Sequence, residues 1–261
     1  MRALLPAVLL LAGCLAAPTH EGAAAADPAL TMAWGVEECA FVIVAIPVDY
    51  AALAARLPAG FRLAPGTLGL LPSGPNATIE FDAYRCERVR WGSETTEDAS
   101  YGSYYTGVLP PSALRQAGYN AYFVKWDVLV ADDAARETLA AAGVPAHAGA
   151  AQVRIDGPTI TASLGFDDGA GFSLTGAMRT PPASASAAPL PFTEYTPLEG
   201  GNLARWHARL HDAPFGQGAG VVELSPGWVR DLVGADRAPA TFIAGTWNLD
   251  QADVAAPIVW P

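Results

Sequence analysis

Only one lysine, Lys125, occurs in 261 residues. Lysine and arginine together number 15 against 26 acidic residues, for a formal net charge of −11. No Lys/Arg-rich run reverses that excess locally, so the surface field repels a phosphate backbone and nucleic acid is not an expected partner. Charged residues are scarce at 16% and hydrophobic residues reach 51%, a balance that excludes a disordered chain. The sequence has no GxSxG elbow for serine hydrolysis, no Gly-rich phosphate loop and no CxxC pair. Asp167-Asp168-Gly169 lacks the ligand spacing of a calcium loop and reads as a turn. Neither a metal nor a cofactor is expected.

Long apolar runs are also missing. The N-terminal "MRALLPAVLLLAGCLAAP" has one cation, Arg2, before an apolar stretch from Ala3 to Ala12, too short to span a bilayer and suited to a signal-peptide core. It ends in Leu-Ala-Gly-Cys, which resembles the lipobox of bacterial lipoproteins and implies lipidation at Cys14. The alternative is an ordinary cleaved signal, with small residues at Ala24 and Ala26. Cysteine is scarce too, with three residues, Cys14, Cys39 and Cys86. Lipidating Cys14 leaves an even pair. A Cys39–Cys86 bridge would persist in an oxidising compartment; the other reading is two buried free thiols. The expected organisation is a signal peptide over 1–13, an Ala-rich flexible tether over 14–32 and one domain over 33–261. It places the protein outside the cytoplasm, on the cell envelope, held to the membrane through its N-terminal lipid only.

What the domain does contain is turn residues, 26 glycines and 22 prolines, between short apolar segments. "CAFVIVAIPV" reads as a buried strand and "DYAALAARLPAGF" as a helix capped by Asp49. "TIEFDAYRCERVRW", "SYGSYYTGVL" and "YNAYFVKWDVLVAD" read as strands, the last with Ala121, Phe123, Lys125, Asp127 and Leu129 on one face. "DDAARETLAAAG" reads as a helix that stops at Gly143. Turns at Asp156-Gly157 and Asp168-Gly169 separate further strands. "TPPASASAAPLP" (180–191) is read as a long surface loop. "NLARWHARLHDAP" alternates strictly, so it is a strand with Arg205, His207, Arg209 and His211 in one row and Ala204, Trp206, Ala208 and Leu210 on the other face. "SPGWVRDLVG" is read as a short helix capped by Ser225, and "ATFIAGTWNL" as a last strand. The class is mainly β with a few short helices, in a barrel or strongly curved sheet.

Three stretches, "IPVDYAALAARLPAGFRLAP", "TIEFDAYRCERVRW" and "GYNAYFVKWDVLVADDAARETLAAAGVPAHAG", resemble the acetoacetate decarboxylase family over about half of the domain. The resemblance implies a cone-shaped β-barrel around a mostly apolar cavity, and decarboxylation of β-keto acids through a lysine Schiff base. The family carries that lysine just after Gly-x-Pro. Here Gly143 and Pro145 are followed by Ala146 and His147, and neither side chain forms an iminium, so the family's catalytic role is not carried over.

Lys125, His147 and Glu80 remain as candidate catalytic groups, with Asp82 as a second candidate interior acid. Lys125 is expected to point outward beside Asp127. The Arg205, His207 and Arg209 row is read either as a solvated face or as a wall that meets a ligand carboxylate. The expected function is binding of a small, largely apolar ligand, possibly carboxylate-bearing, in the barrel cavity, without Schiff-base chemistry. The alternatives are an enzyme of the same fold with an Arg/Glu/His site, and a surface interaction module.

Overall fold

The apolar run around Phe41 belongs to a longer strand, β1 (Met32–Val48), in this computed structural model. The structure describes residues 31–64, 77–119, 121–183, 190–210 and 213–260. Cys14 with the signal peptide, nearly all of the tether, and His211 lie outside the described residues.

The remaining elements are α1 (Tyr50–Ala54), β2 (Arg62–Leu63), β3 (Ala77–Trp91), β4 (Glu94–Leu109), β5 (Ala121–Val130), α2 (Asp133–Ala141), β6 (Gly149–Asp156), β7 (Thr159–Phe166), β8 (Gly171–Ala183), β9 (Leu190–Pro197), β10 (Leu203–Leu210), β11 (Phe215–Leu224), α3 (Trp228–Val233) and β12 (Arg237–Ile258). The class is as the composition predicts, though β1, β3, β4 and β12 are much longer than the expected short strands. Asp49 caps α1 by accepting from the Ala52 amide at 2.8 Å, and Asp132 caps α2 by accepting from Ala135 at 2.8 Å. Gly143, at φ +80°, turns the chain out of α2. The third helix differs from expectation: it begins at Trp228, with Gly227 at its N-cap position and no side-chain cap.

Pairing closes a circle. β1 joins β3, then β4, β5, β9, β10 and β12 follow, and β12 pairs back with β1. All these pairs are antiparallel except β5 with β9. β12 changes partner along its length within one continuous sheet. Residues 252–258 pair with β10, whereas residues 237–245 pair with β11. From β11 the sheet runs on through β8 and β7 to β6 and lies over the outer face of the ring.

This arrangement makes two main cores. Inside the ring pack Trp34, Phe41, Tyr84, Trp91, Tyr101, Phe123, Trp206 and Trp247. Between the ring and the extension pack Phe81, Tyr104, Leu164, Phe172, Leu174 and Phe242. β1 feeds both, with Phe41 and Ile43 inward and Val42 and Val44 outward. A strand covered on both faces is apolar throughout, not alternating.

The Pro/Ser/Ala-rich run is not simply a loop. Residues 180–183 end β8, residues 190–191 begin β9, and 184–189 lie outside the described residues. β7 stops pairing at Ala177, and beyond the Met178 amide, which donates to the Pro158 carbonyl, β8 among the described residues pairs with β11 alone. Proline lacks an N–H and is tolerated on such a one-sided strand. That is how Pro181 and Pro182 fit into β8.

Candidate functional site

Alternate residues of β3, β4, β5, β9 and β10 enter the ring, and among them are four charged side chains. Glu80 (0% exposed) and Asp82 (1%) come from β3, Lys125 (7%) from β5 and Glu194 (6%) from β9. Register brings them together. Across β4, Tyr105 pairs with Glu80 on one side and Lys125 on the other. Glu194 pairs with Phe123 in β5 and with Trp206 in β10.

Each acid lies beside a donor within the ring. Lys125 Nζ lies 2.5 Å from Glu194 Oε2 and 5.3 Å from the centre of the Trp206 ring. Asp82 accepts from Ser103 Oγ at 2.9 Å and from Tyr84 Oη at 3.1 Å. The Glu80 carboxyl lies close enough to the Tyr105 hydroxyl to help raise it. Close approach of β4 makes this possible. A Cβ on Gly102 would meet the Asp82 carbonyl at 2.4 Å, so only glycine fits beside Ser103.

Burial raises the Asp82 carboxyl to about 6; Lys125 opposes that shift and Glu194 reinforces it. Burial also pushes the Tyr84, Tyr101 and Tyr105 hydroxyls well above their ordinary value, and the nearby carboxylates add to it. These phenols therefore stay neutral donors at physiological pH.

The structure corrects the outward reading of Lys125. Strict alternation through β5 would put Lys125 and Asp127 on one face, but Asp127 sits at φ +49° in a bulge where Gly102 opposes Leu129 and Tyr104 opposes Trp126. One extra residue switches the face taken by every residue beyond it. Asp127 therefore turns away from Lys125, accepts from Trp228 Nε1 at 2.6 Å and lies 3.7 Å from His147 Nε2.

The loop after α2 divides in the same way. Ala146 packs against the ring's inner core, while the half-exposed His147 stands with Asp127 and Phe166 on the other side. His147 is thus not gathered with Glu80 and Lys125. On β10, Ala204, Trp206 and Ala208 belong to the inner core. Arg205, His207 and Arg209 are on the opposite face, where Thr193 Oγ1 and His207 Nδ1 are 2.9 Å apart and Tyr119 stacks on His207 and lies under Arg209. Arg205 and His207 are buried there and Arg209 is exposed.

Glu194, Tyr84, Tyr101, Ser103 and Tyr105 are site residues that the sequence reading did not single out. For Glu194 a signal exists. In "PFTEYTP" the acid shares one face of a strand-like run with Phe192 and Thr196.

The ring with its folded-back extension has known counterparts. No protein-family model and no curated protein matches the sequence. Among solved structures, the acetoacetate decarboxylase of Legionella pneumophila is similar over 94% of this chain and 93% of its own, at 16% identity and a TM-score of 0.54. A second acetoacetate decarboxylase structure covers 87% of this chain and 91% of its own, at 12% identity and a TM-score of 0.54. The fold is acetoacetate decarboxylase-like. At such identities the likeness extends to the fold alone. The interior of the ring carries three acids, one lysine and a wall of indoles and phenols.

Proposed function

We propose that this chain is an extracytoplasmic, lipid-anchored protein whose acetoacetate decarboxylase-like barrel binds a small, largely apolar ligand and does not carry out Schiff-base decarboxylation. The Lys125–Glu194 ion pair is the observation that carries the second half of this reading. Imine formation needs an unprotonated amine whose lone pair is free. Lys125 is the chain's only lysine, and it is held against one carboxylate with Asp82 close enough to act on it electrostatically. Position 146, which packs against the inner core, is alanine. The anchoring half rests on the lipobox-like "LAGC" and the odd cysteine count.

The test is to incubate the protein with acetoacetate and borohydride and to follow carbon dioxide release. Neither a covalent adduct nor product should appear. Reductive trapping on Lys125 that is lost in Lys125→Met would refute the reading and reveal a working amine.

A second reading, an enzyme of the same fold that moves a proton, draws on Asp82. A buried carboxyl held at about 6 can both give and take a proton near neutrality. It predicts turnover that depends on Asp82 and survives the loss of Lys125.

A further inference from the structure

Hydrogen-bonding capacity inside the ring is unequally used. The Asp82 oxygens accept from Ser103 and Tyr84, Glu194 is engaged by Lys125, and Glu80 lies beside Tyr105. The donors are another matter. Trp34 Nε1, Trp91 Nε1, Trp247 Nε1 and Tyr101 Oη are buried and have no hydrogen-bond partner among the described residues. All four side chains are more than nine-tenths buried and belong to the inner core.

These donors are clustered. Trp34 stacks with Trp91 at 5.8 Å between ring centres, and Tyr101 stands edge-on to both, at 6.3 and 5.9 Å. Tyr84 stacks on Tyr101 at 4.4 Å and on Trp247 at 4.8 Å, which links the fourth donor to the group. Trp206, under Lys125, meets Trp34 edge-on at 5.8 Å. The cluster is therefore continuous with the charged groups: Lys125 through Trp206, and Asp82 through Tyr84. Several orphan donors in one apolar cluster are costly in a folded protein, since each forgoes its bonds to water. An indole N–H only donates, so it can be satisfied only by an acceptor.

Charge narrows the acceptor. The ring holds three carboxyl groups against one ammonium, so a ligand anion would enter a field of its own sign in a medium that screens poorly. Aromatic walls favour a flat partner.

We infer that the ligand of this barrel is a neutral, planar molecule with a carbonyl-type oxygen, which accepts hydrogen bonds from the Tyr101 hydroxyl and from the Trp34 or the Trp91 indole. This inference rests on the binding reading above and goes beyond it by excluding a carboxylate as the preferred polar end.

Four probes of one skeleton test it: acetophenone, benzoate, benzylammonium and ethylbenzene, titrated at pH 7 against tryptophan fluorescence and by calorimetry. Acetophenone should bind about ten-fold more tightly than ethylbenzene, as two net hydrogen bonds would give, with benzoate weaker still and benzylammonium, which offers the donors no acceptor, below acetophenone. In Tyr101→Phe the ratio of acetophenone to ethylbenzene affinity should fall about three-fold. Thermal stability should hold or rise, because an unpartnered buried hydroxyl has been removed. Equal affinity for acetophenone and ethylbenzene, or tightest binding of benzoate or benzylammonium, would overturn the acceptor inference while the barrel remained a binding site. An unchanged ratio in Tyr101→Phe, with acetophenone still preferred, would also overturn it, by showing that other donors read the oxygen. Failure of all four probes to bind would overturn the binding reading itself.

Discussion

Lys125 and Glu194 form an ion pair inside the ring, 2.5 Å apart, contributed by two strands that run parallel and pair directly. Its consequence is structural before it is chemical. Removing one partner of a buried pair strands the other charge, at a cost of about 3–5 kcal/mol. Lys125→Met should therefore destabilise the protein by about that much, read as a shift in the urea midpoint at constant slope. Lys125→Met/Glu194→Leu should recover most of the loss. A single variant within about 1 kcal/mol of the native protein would mean that the pair is not buried as described.

Asp82 gives the stability an unusual pH dependence. Its carboxyl is raised in the folded state from 3.8 to about 6. Between those values the folded protein binds more protons at this site than the unfolded chain does, so the site's contribution weakens as pH rises from about 4 to about 6. Below about 4 both states are protonated and the penalty vanishes; above about 6 it is fully present, at roughly 3 kcal/mol. Stability of Asp82→Asn minus that of the native protein should grow across this window and then level off. A difference that is flat with pH would contradict the raised value.

Cys39 and Cys86 face each other across β1 and β3, with α-carbons 3.9 Å apart, and form a disulfide. Both are buried, so reductant should leave the folded protein oxidised and reach the bond only in denaturant, as thiol counting by mass spectrometry would show. Closing a loop of this length is worth up to about 4 kcal/mol by the chain-entropy account. The double variant Cys39→Ala/Cys86→Ala should lose stability on that order. No loss under oxidising conditions would mean that the bridge restrains nothing in the unfolded chain.

If Cys14 is lipidated, as proposed, Cys14→Ser should move the protein from the membrane fraction to the soluble extracytoplasmic fraction with its barrel intact. A variant that stays membrane-bound, or native protein found to begin just after Ala26, would rule the anchor out.

Local sequence determined a good deal here. The continuous apolar run of β1, the alternation of β10, the aspartates that cap α1 and α2, and the glycine that ends α2 depend on neighbours only a few residues away, and they read as they fold. The family resemblance marked Glu80 and Asp82 as possible interior acids, and the cysteine count pointed to one pair.

Tertiary structure decided which faces the charges take. The alternation of β5 is regular in sequence and broken in space, because a bulge at Asp127, seen only in the register between β4 and β5, turns that acid from Lys125 to Trp228. Glu194 meets Lys125 only because β9 pairs in parallel with β5 across a long separation in the chain. The basic row of β10 lies outside the ring because Trp206 and its small neighbours fill the inside. Whether a charge in a strand is buried depends on which strand lies beside it and in what register. Pairing between distant segments sets both, and no local pattern encodes that pairing.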